Sequence, residues 1–469
     1  MKRITVPIDL IRKYAISGPR YTSYPTAVEL KPSFGIEQWL AALCHEWNRS
    51  PERWEEAQRP ISLYFHIPFC QTLCFFCACN KIVTHNTAVV PPYLVALKRE
   101  IRFYADTLDT TVPVCQLHWG GGSPNYLSPK QMEELFGSIT EAFPNLRPDA
   151  DVSIELDPRT TSKEQLRTLR RLGFNRMSMG VQDFDPQVQR AINRVQPYAM
   201  TKELVDECRS LGFESVSIDL VYGLPDQTQA GFSDTLQKVA EINPDRIALY
   251  GYAHVTWLTE AQKALEKRHL PTPEERLALL SEAVAFFSGQ GYRYIGMDHF
   301  ARPGDSLAQA LDSGALNRNF MGYTTHRGAR LLALGASSIS MLPGAMAQNT
   351  KDVEAYQRVV QEHGCAVDRG LLRSHEDQVR GEVIENLLCL GHVSFAEIER
   401  RYDLVFAEAF ATELARVEPF LADSLVEKDQ QGIRLTMLGR FFMRNVAMIF
   451  DQYLPQHRGD AKPMFSQAV

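Results

Sequence analysis

From about residue 61 to residue 300, short apolar runs alternate with longer stretches whose apolar residues recur at three- and four-residue steps. The short runs predict strands at Leu63–Ile67, Gln116–Trp119, Val152–Leu156, Arg176–Gln182, Val216–Tyr222 and Arg246–Tyr250. The first long stretch follows Pro91 and Pro92 and puts Leu94, Leu97, Ile101 and Tyr104 on one helical face. Further helices are predicted near 129–142, 162–172, 199–211, 229–242 and 273–289. Strands joined by crossover helices make a parallel sheet, either open and doubly wound or curled into a barrel.

Side-chain parity separates the two. Leu63, Phe65, Ile67, Leu117, Trp119, Val152, Ile154, Leu156, Met177, Met179, Val181, Val216, Ile218 and Leu220 fall on one face. The opposite face is small or polar: Ser62, Tyr64, His66, Gln116, His118, Ser153, Glu155, Ser178, Gly180, Gln182, Ser217 and Asp219. Buried strands of a doubly wound sheet are apolar on both faces, which these are not. An eight-stranded closed barrel fills its interior with branched apolar side chains. A polar lining therefore predicts a wider or incomplete barrel around a cavity, spanning residues 56–300. Residues 1–55 form an N-terminal arm whose Ser17-Gly18-Pro19-Arg20-Tyr21-Thr22-Ser23-Tyr24-Pro25 segment cannot be one continuous helix. Residues 301–370, rich in glycine and turn signals, are expected to be an irregular extension of the core, and 371–469 a mainly helical C-terminal domain.

Fifty Lys and Arg against 56 Asp and Glu leave a charge of −6, and the longest basic cluster is Lys267-Arg268-His269. Nothing forms the stripe that a phosphate backbone needs, so no nucleic-acid partner is expected. No apolar run reaches membrane-spanning length and the first residues lack the apolar core of a signal peptide, so membrane insertion is not expected and a cytoplasmic location is. The chain is expected to be a monomer. Five of the nine cysteines, Cys44, Cys115, Cys208, Cys365 and Cys389, are scattered singly among apolar neighbours and read as core filler.

The other four, Cys70, Cys74, Cys77 and Cys79, fall within ten positions, at the C-terminal end of the first strand, where barrel active sites sit. Such a loop of thiolates binds zinc or an iron–sulfur cluster. Without paired Cys and His at zinc-finger spacing downstream, the cluster is favoured. Ligation by four cysteines makes an electron-transfer centre, whereas ligation by three leaves one iron open to another ligand. Spacing alone does not say which cysteine is spare.

Cys70-x3-Cys74-x2-Cys77 resembles the signature of the radical S-adenosylmethionine (SAM) enzymes, and Trp119-Gly120-Gly121-Gly122-Ser123-Pro124 after the second strand is similar to their glycine loop. Within that superfamily, several segments resemble the oxygen-independent coproporphyrinogen III oxidase (dehydrogenase) family. They are the arm segment, Cys77-Ala-Cys79-Asn80-Lys81, Gly180-Val-Gln182-Asp-Phe184, Asn193-Arg194, Ile218 to Pro225, Met297 to Phe300 and Gly322 to Thr325. The resemblance spans nearly the whole chain. It implies an α/β fold, a partial (βα)6 TIM-like barrel with an N-terminal arm and a C-terminal helical domain, carrying one [4Fe-4S] cluster and two SAM molecules.

Carried over by position, the resemblance implies that Cys70, Cys74 and Cys77 ligate the cluster and Cys79 does not, leaving Cys79 as a catalytic candidate. Tyr64, Gly121, Glu155 and Ile339 match a first SAM site; Phe76, Gly122, Ser123, Gln182, Arg194, Asp219 and Ala253 match a second. Ser123 stands where relatives often have threonine, with the hydroxyl kept. Tyr64, Glu155, Gln182 and Asp219 all lie on the polar strand face read from parity alone. Glu155 and Asp219 suit SAM hydroxyl or ammonium groups, and Arg194 suits a carboxylate through a bidentate pair. The implied reaction is oxidative decarboxylation of the ring A and B propionates of coproporphyrinogen III to vinyl groups, giving protoporphyrinogen IX, with a low-potential donor such as a flavodoxin or ferredoxin system. Arg20, beside Tyr21 and Tyr24, is a candidate contact for the substrate carboxylates. A haem-binding chaperone-like relative, or another radical SAM enzyme acting on tetrapyrroles, is the alternative.

Overall fold

The computed structural model describes residues 6–48, 60–457 and 465. Its centre is a twelve-stranded sheet. In chain order the strands are β1 (Ile61–Ile67), β2 (Val114–Gly121), β3 (Leu146–Leu156), β4 (Arg176–Gln182), β5 (Ser215–Tyr222), β6 (Arg246–Gly251), β7 (Arg293–Gly296), β8 (His299–Ala301), β9 (Arg330–Leu334), β10 (Ile339–Met341), β11 (Ala345–Asn349) and β12 (Val367–Leu372). They lie in the order β12-β11-β10-β9-β1-β2-β3-β4-β5-β6-β8-β7. Strands β1 to β6 are parallel neighbours joined by crossover helices, a partial (βα)6 barrel. All six predicted strands are present, and Arg176–Gln182 has the predicted bounds.

The apolar face packs outward under the helices. Leu63, Phe65, Ile67, Trp119, Met179 and Ile218 have no exposed surface, and Trp119 meets the Phe174 ring edge-on at 5.0 Å. Removing one such side chain, as in Phe65→Ala, costs about 3–5 kcal/mol. The helices start where local chemistry starts them. Ser128, Ser162 and Thr272 each cap a helix through a reciprocal pair with Gln131, Gln165 and Glu275, before Pro129–Ala142, Lys163–Arg171 and Pro273–Gly289.

Residues 301–370 correct the expectation of an irregular extension. They supply β9, which pairs with β1 in parallel, and β10 and β11, while β12 follows at Val367–Leu372. These strands are three to six residues long, and β9 and β11 are buried at every position, so no alternation marks them. The hairpin Asn317–Asn319 with Gly322–Thr324 reaches the N-terminal end of the barrel, where Thr324 Oγ1 and Ser62 Oγ both bond Gln116 Oε1. Asp151 pairs there with Arg176 and with His326. The polar interior is thereby closed at this end and is approached from the strands' C-terminal ends.

The C-terminal part contains helices His375–Cys389, Phe395–Tyr402 and Ala411–Ala422, and a three-stranded sheet of His392–Ser394, Gly432–Leu435 and Val426–Lys428 that helical periodicity does not show. The arm has helices Ile8–Tyr14 and Ile36–Asn48 flanking the non-helical Gly18–Pro25 stretch. It is tied to the C-terminal part: Tyr21 donates to Asp451 at 2.9 Å and Arg444 Nε to the Pro19 carbonyl at 2.9 Å. The expected boundary between arm and barrel at 55/56 lies outside the described residues. Cys115, Cys208, Cys365 and Cys389 are buried and Cys44 is half-buried, in keeping with core filler. Among the described residues no helix is long and apolar enough to cross a membrane.

Candidate active site

After β1 the chain runs through Pro68 into Phe69–Cys70, which pairs in parallel with Ile82–Val83 and closes the cysteine loop at its neck. The loop is held from inside and outside. Cys77 N–H donates to the Cys74 carbonyl at 3.2 Å, Lys81 Nζ to the Cys77 carbonyl at 3.0 Å, and Asn193 Nδ2 to the Leu73 carbonyl at 2.8 Å. Cys70 and Cys74 are buried, Cys77 is half-buried and Cys79 is exposed. Two guanidinium groups face the Cys74 sulfur, Arg159 at 3.3 Å and Arg194 at 3.5 Å, while Ser123 Oγ lies 3.6 Å from the Cys70 sulfur. Burial pushes the Cys70 thiol up to about 11; the hydrogen bond from Cys79 and the charge of Lys81 pull Cys77 below the ordinary thiol range. Among the described residues no three Cys, His, Asp or Glu side chains are gathered as the ligands of one ion. A cuboidal cluster asks for something else, one thiolate on each of three separate irons.

Beside the loop, one row of residues crosses the polar face. Tyr64 pairs with His118, and His118 with Ser153; on its other side Tyr64 pairs with Ala333, and continuing the antiparallel register of Leu331 with Met341 puts Ile339 opposite Ala333. The Tyr64 and His118 rings stack at 5.9 Å. Tyr64 OH lies 3.0 Å from His66 Nδ1, and His66 Nε2 is 3.0 Å from the Asn80 carbonyl. Since a carbonyl only accepts, His66 carries its proton on Nε2 and Tyr64 donates to Nδ1. Burial lowers His66, which keeps it neutral.

Glu155 accepts the Gly121 N–H at 3.2 Å and faces His118 Nε2 at 3.5 Å. Burial alone would raise this carboxyl, but His118 and the Gly121 amide outweigh it and leave Glu155 below its ordinary range. The side chain is enclosed by protein and yet 46% exposed, the condition of a group on a cavity wall. Gly121 has φ +117°, and a Cβ there would stand 2.7 Å from the His66 ring; at Gly122 it would stand 2.8 Å from the Phe69 carbonyl oxygen. Only glycine lets the end of β2 lie this close to the cysteine loop.

The family profile of the Radical SAM superfamily matches residues 64–239, and that of the HemN C-terminal domain matches 374–442. The oxygen-independent coproporphyrinogen III oxidase of Escherichia coli is 46% identical over 456 residues, 97% of each chain. Its counterpart in Synechocystis is 43% identical over 98% of this chain and 97% of the relative. The solved structure of the Escherichia coli enzyme, a radical SAM enzyme, superposes with a TM-score of 0.89 at 43% identity, covering 96% of this chain and 100% of that one. The chain belongs to the oxygen-independent coproporphyrinogen III oxidase family.

As a radical SAM enzyme of this family, the protein uses a [4Fe-4S] cluster and SAM, and the donors fit them: an all-cysteine loop beside a polar, partly open interior. The residues expected at a second SAM site fall into three groups. Ser123 lies against Cys70. Phe76 and Ala253 are bridged by Gln262, whose Nε2 donates to both carbonyls at 2.9 and 3.0 Å. Gln182, Arg194 and Asp219 surround the end of β4. Gln182 has φ +71° at an irregularity in the β4–β5 pairing. Ser178 donates to Asp219 at 3.0 Å, while burial and then the charge of Glu155 push Asp219 up to about 7.

Arg194 is already engaged within the protein. It is 6% exposed, and its terminal nitrogens already meet Asp157 at 3.4 and 3.5 Å and the Gly180 carbonyl at 2.5 Å; its Nε has no partner. The guanidinium fork thus faces Asp157. Asp157 holds Arg159 as well, at 2.6 Å. Asp157, Arg159 and Gln262 were not singled out from sequence. Asp157 could have been, since it directly follows Leu156, the last residue of β3. Arg20 donates to the carbonyl of Gly251, the last residue of β6, so the arm crosses the C-terminal end of the barrel.

Proposed function

We propose that this protein converts coproporphyrinogen III to protoporphyrinogen IX without oxygen, turning the ring A and B propionates into vinyl groups. The observation that carries the reading is the near-complete match to enzymes of that name, through barrel and C-terminal part alike, with the three-cysteine loop at the open end of the barrel. Each propionate loses CO2, one hydrogen atom and one electron. Removing hydrogen from an unactivated carbon is beyond a side-chain acid or base; the bound cluster and SAM supply that one-electron chemistry.

The chain's own residues hold, orient and exclude. Cys70, Cys74 and Cys77 hold the cluster, and Cys79 stays outside that set and serves the substrate. Tyr64, Gly121, Glu155 and Ile339 bind one SAM. Phe76, Gly122, Ser123, Gln182, Arg194, Asp219 and Ala253 bind a second. Glu155, ionised, accepts from hydroxyl or ammonium groups; Asp219, near half-protonated at neutral pH, both accepts and donates. Arg159 and Arg194 place positive charge beside the Cys74 sulfur. The arm, with Arg20, covers the barrel end and keeps water from the reacting groups. A low-potential donor such as a flavodoxin or ferredoxin system supplies the electrons, and the chain works as a monomer.

The test is anaerobic incubation of cluster-reconstituted protein with SAM, reductant and coproporphyrinogen III. Mass analysis should show two successive losses of CO2 with two hydrogens, alongside 5′-deoxyadenosine. An unchanged tetrapyrrole mass refutes the assignment, and tight haem binding without SAM cleavage turns it to the chaperone-like alternative.

A further inference from the structure

A second polar cavity lies where arm, barrel and C-terminal part meet. Its walls carry four arginines from three regions far apart in sequence: Arg20 on the arm, Arg276 on the helix Pro273–Gly289, and Arg440 and Arg444 near the C-terminus. Among the described residues, Asp298 is the one acid in the wall. Leaving Arg444 aside, the guanidinium groups of Arg20, Arg276 and Arg440 still outnumber the one carboxylate among the described lining residues, in a largely enclosed space. Two of these groups have unmet hydrogen-bonding capacity: Arg276 donates through Nη2 to the Tyr252 carbonyl at 3.1 Å while its Nε has no partner, and Asp298 Oδ2 has none either. Arg440 lies 5.8 Å from the Tyr294 ring centroid. The charges are felt mutually: burial, and then Arg20, hold Arg276 below the usual guanidinium range and bring Arg444 down to about 10. An interior that crowds cations in this way is relieved by an anion.

Size and position narrow the anion. The cavity measures about 40 Å³. A single water needs roughly 10–15 Å³ on that measure, so the space admits a carboxylate arm and no macrocycle. Tyr222 and Gly251, the last residues of β5 and β6, line it, three residues along β5 from Asp219. At strand rise that is about 10 Å from the polar interior. A group bound here belongs to a molecule whose reacting part is elsewhere.

We propose that this arginine cavity binds a propionate that the reaction retains, anchoring the tetrapyrrole by a carboxylate that is never removed. The assignment rests on the coproporphyrinogen reading of the neighbouring site. Physical chemistry selects the retained arm. Decarboxylation turns a carboxylate into neutral CO2, so guanidinium groups gripping the departing carboxylate would stabilise the ground state over the transition state and slow the reaction. On a retained arm the same grip orients substrate at no cost to the chemical step. It also explains why the arm is fastened across the barrel end: it delivers Arg20 to the cavity.

The test uses the reconstituted holoenzyme with SAM and follows equilibrium binding of the stable, fluorescent coproporphyrin III, its tetramethyl ester and protoporphyrin IX. Arg276→Gln and Arg20→Gln should each weaken coproporphyrin III binding at least tenfold, weaken protoporphyrin IX by the same factor, and leave the uncharged ester unaffected. Arg276→Lys, which keeps the charge, should recover part of the loss, and iron content and SAM binding report that the rest of the site is formed. Should Arg276→Gln not fold, Arg20→Gln, on the arm, decides. Coproporphyrin III affinity within twofold of wild type in the folded variants overturns the proposal. So does a loss confined to coproporphyrin III, which would put a departing propionate in the cavity. If wild type turns over coproporphyrinogen III and the variants still bind normally, the cavity assignment falls alone; if wild type does not turn it over, both readings fall.

Discussion

The backbone N–H of Gly121 donates to Glu155 Oε2 at 3.2 Å, so the glycine turn that ends β2 is fastened to a carboxylate on β3. The same glycine has φ +117° and leaves no room for a Cβ beside His66. Gly121→Ala should therefore cost about 1–3 kcal/mol from backbone strain alone, before the His66 clash is counted. It should also weaken SAM binding at least tenfold, because Glu155 loses its aligned donor. Glu155→Gln keeps the backbone intact, so it should reproduce the loss of SAM binding with unfolding midpoints close to wild type. Calorimetric SAM titration beside denaturant melts separates the two effects.

Among the four clustered cysteines, exposure sets Cys79 apart from Cys70, Cys74 and Cys77. Replacing any of the latter three by serine should abolish iron incorporation. Cys79→Ser should keep wild-type iron and sulfide content while turnover falls at least tenfold. Iron assay with product analysis checks both halves; loss of iron in Cys79→Ser would put that sulfur among the ligands.

Alternation made the barrel interior readable. A side-chain period of two puts Tyr64, His118, Ser153 and Glu155 on one face whatever their partners, and register then joins them. The same rule fails for β9 to β11, which are mostly buried and too short for a period to register. Chemical partners at long range were hidden for another reason. Arg194 and Asp157 are 37 residues apart, and nothing local in either segment announces their pairing. Glu100 lies three residues after Leu97, on the apolar face of its helix, yet a lone acid among apolar neighbours reads as surface until the polar groups around it are placed.

Gln262 holds two expected SAM contacts in place. Its Nε2 joins the carbonyls of Phe76 and Ala253, and its Oε1 accepts the Val255 N–H at 2.6 Å, while Gln262 itself has no exposed surface. Gln262→Leu strips three backbone groups of their partner, at about 1–3 kcal/mol for each one left buried and unpaired. If Phe76 and Ala253 serve a second SAM, the variant should bind one SAM per chain where wild type binds two. Equilibrium dialysis with labelled SAM counts them; two in the variant would detach this segment from cofactor binding.

Glu100 makes stability depend on pH with a sign opposite to that of an ordinary paired carboxylate. It is fully buried and accepts from Tyr356 OH at 2.7 Å, Asn349 Nδ2 at 2.7 Å and Gly335 N–H at 2.8 Å. Burial outweighs these bonds and raises its pKa to about 7 from an ordinary 4.5. The folded chain therefore binds this proton more tightly than the unfolded chain does. Its contribution is full below about pH 4.5 and is lost as pH rises towards 7; two and a half pKa units correspond to about 3 kcal/mol. Glu100→Gln carries no titrating group. Its amide meets the Asn349 donor at every pH, so the variant pays a constant penalty. Wild-type stability minus that of Glu100→Gln should accordingly shrink by about 3 kcal/mol between pH 4.5 and pH 7.5 in anaerobic urea melts. A difference that stays flat over that range would mean Glu100 is ionised throughout, with its three donors compensating its burial.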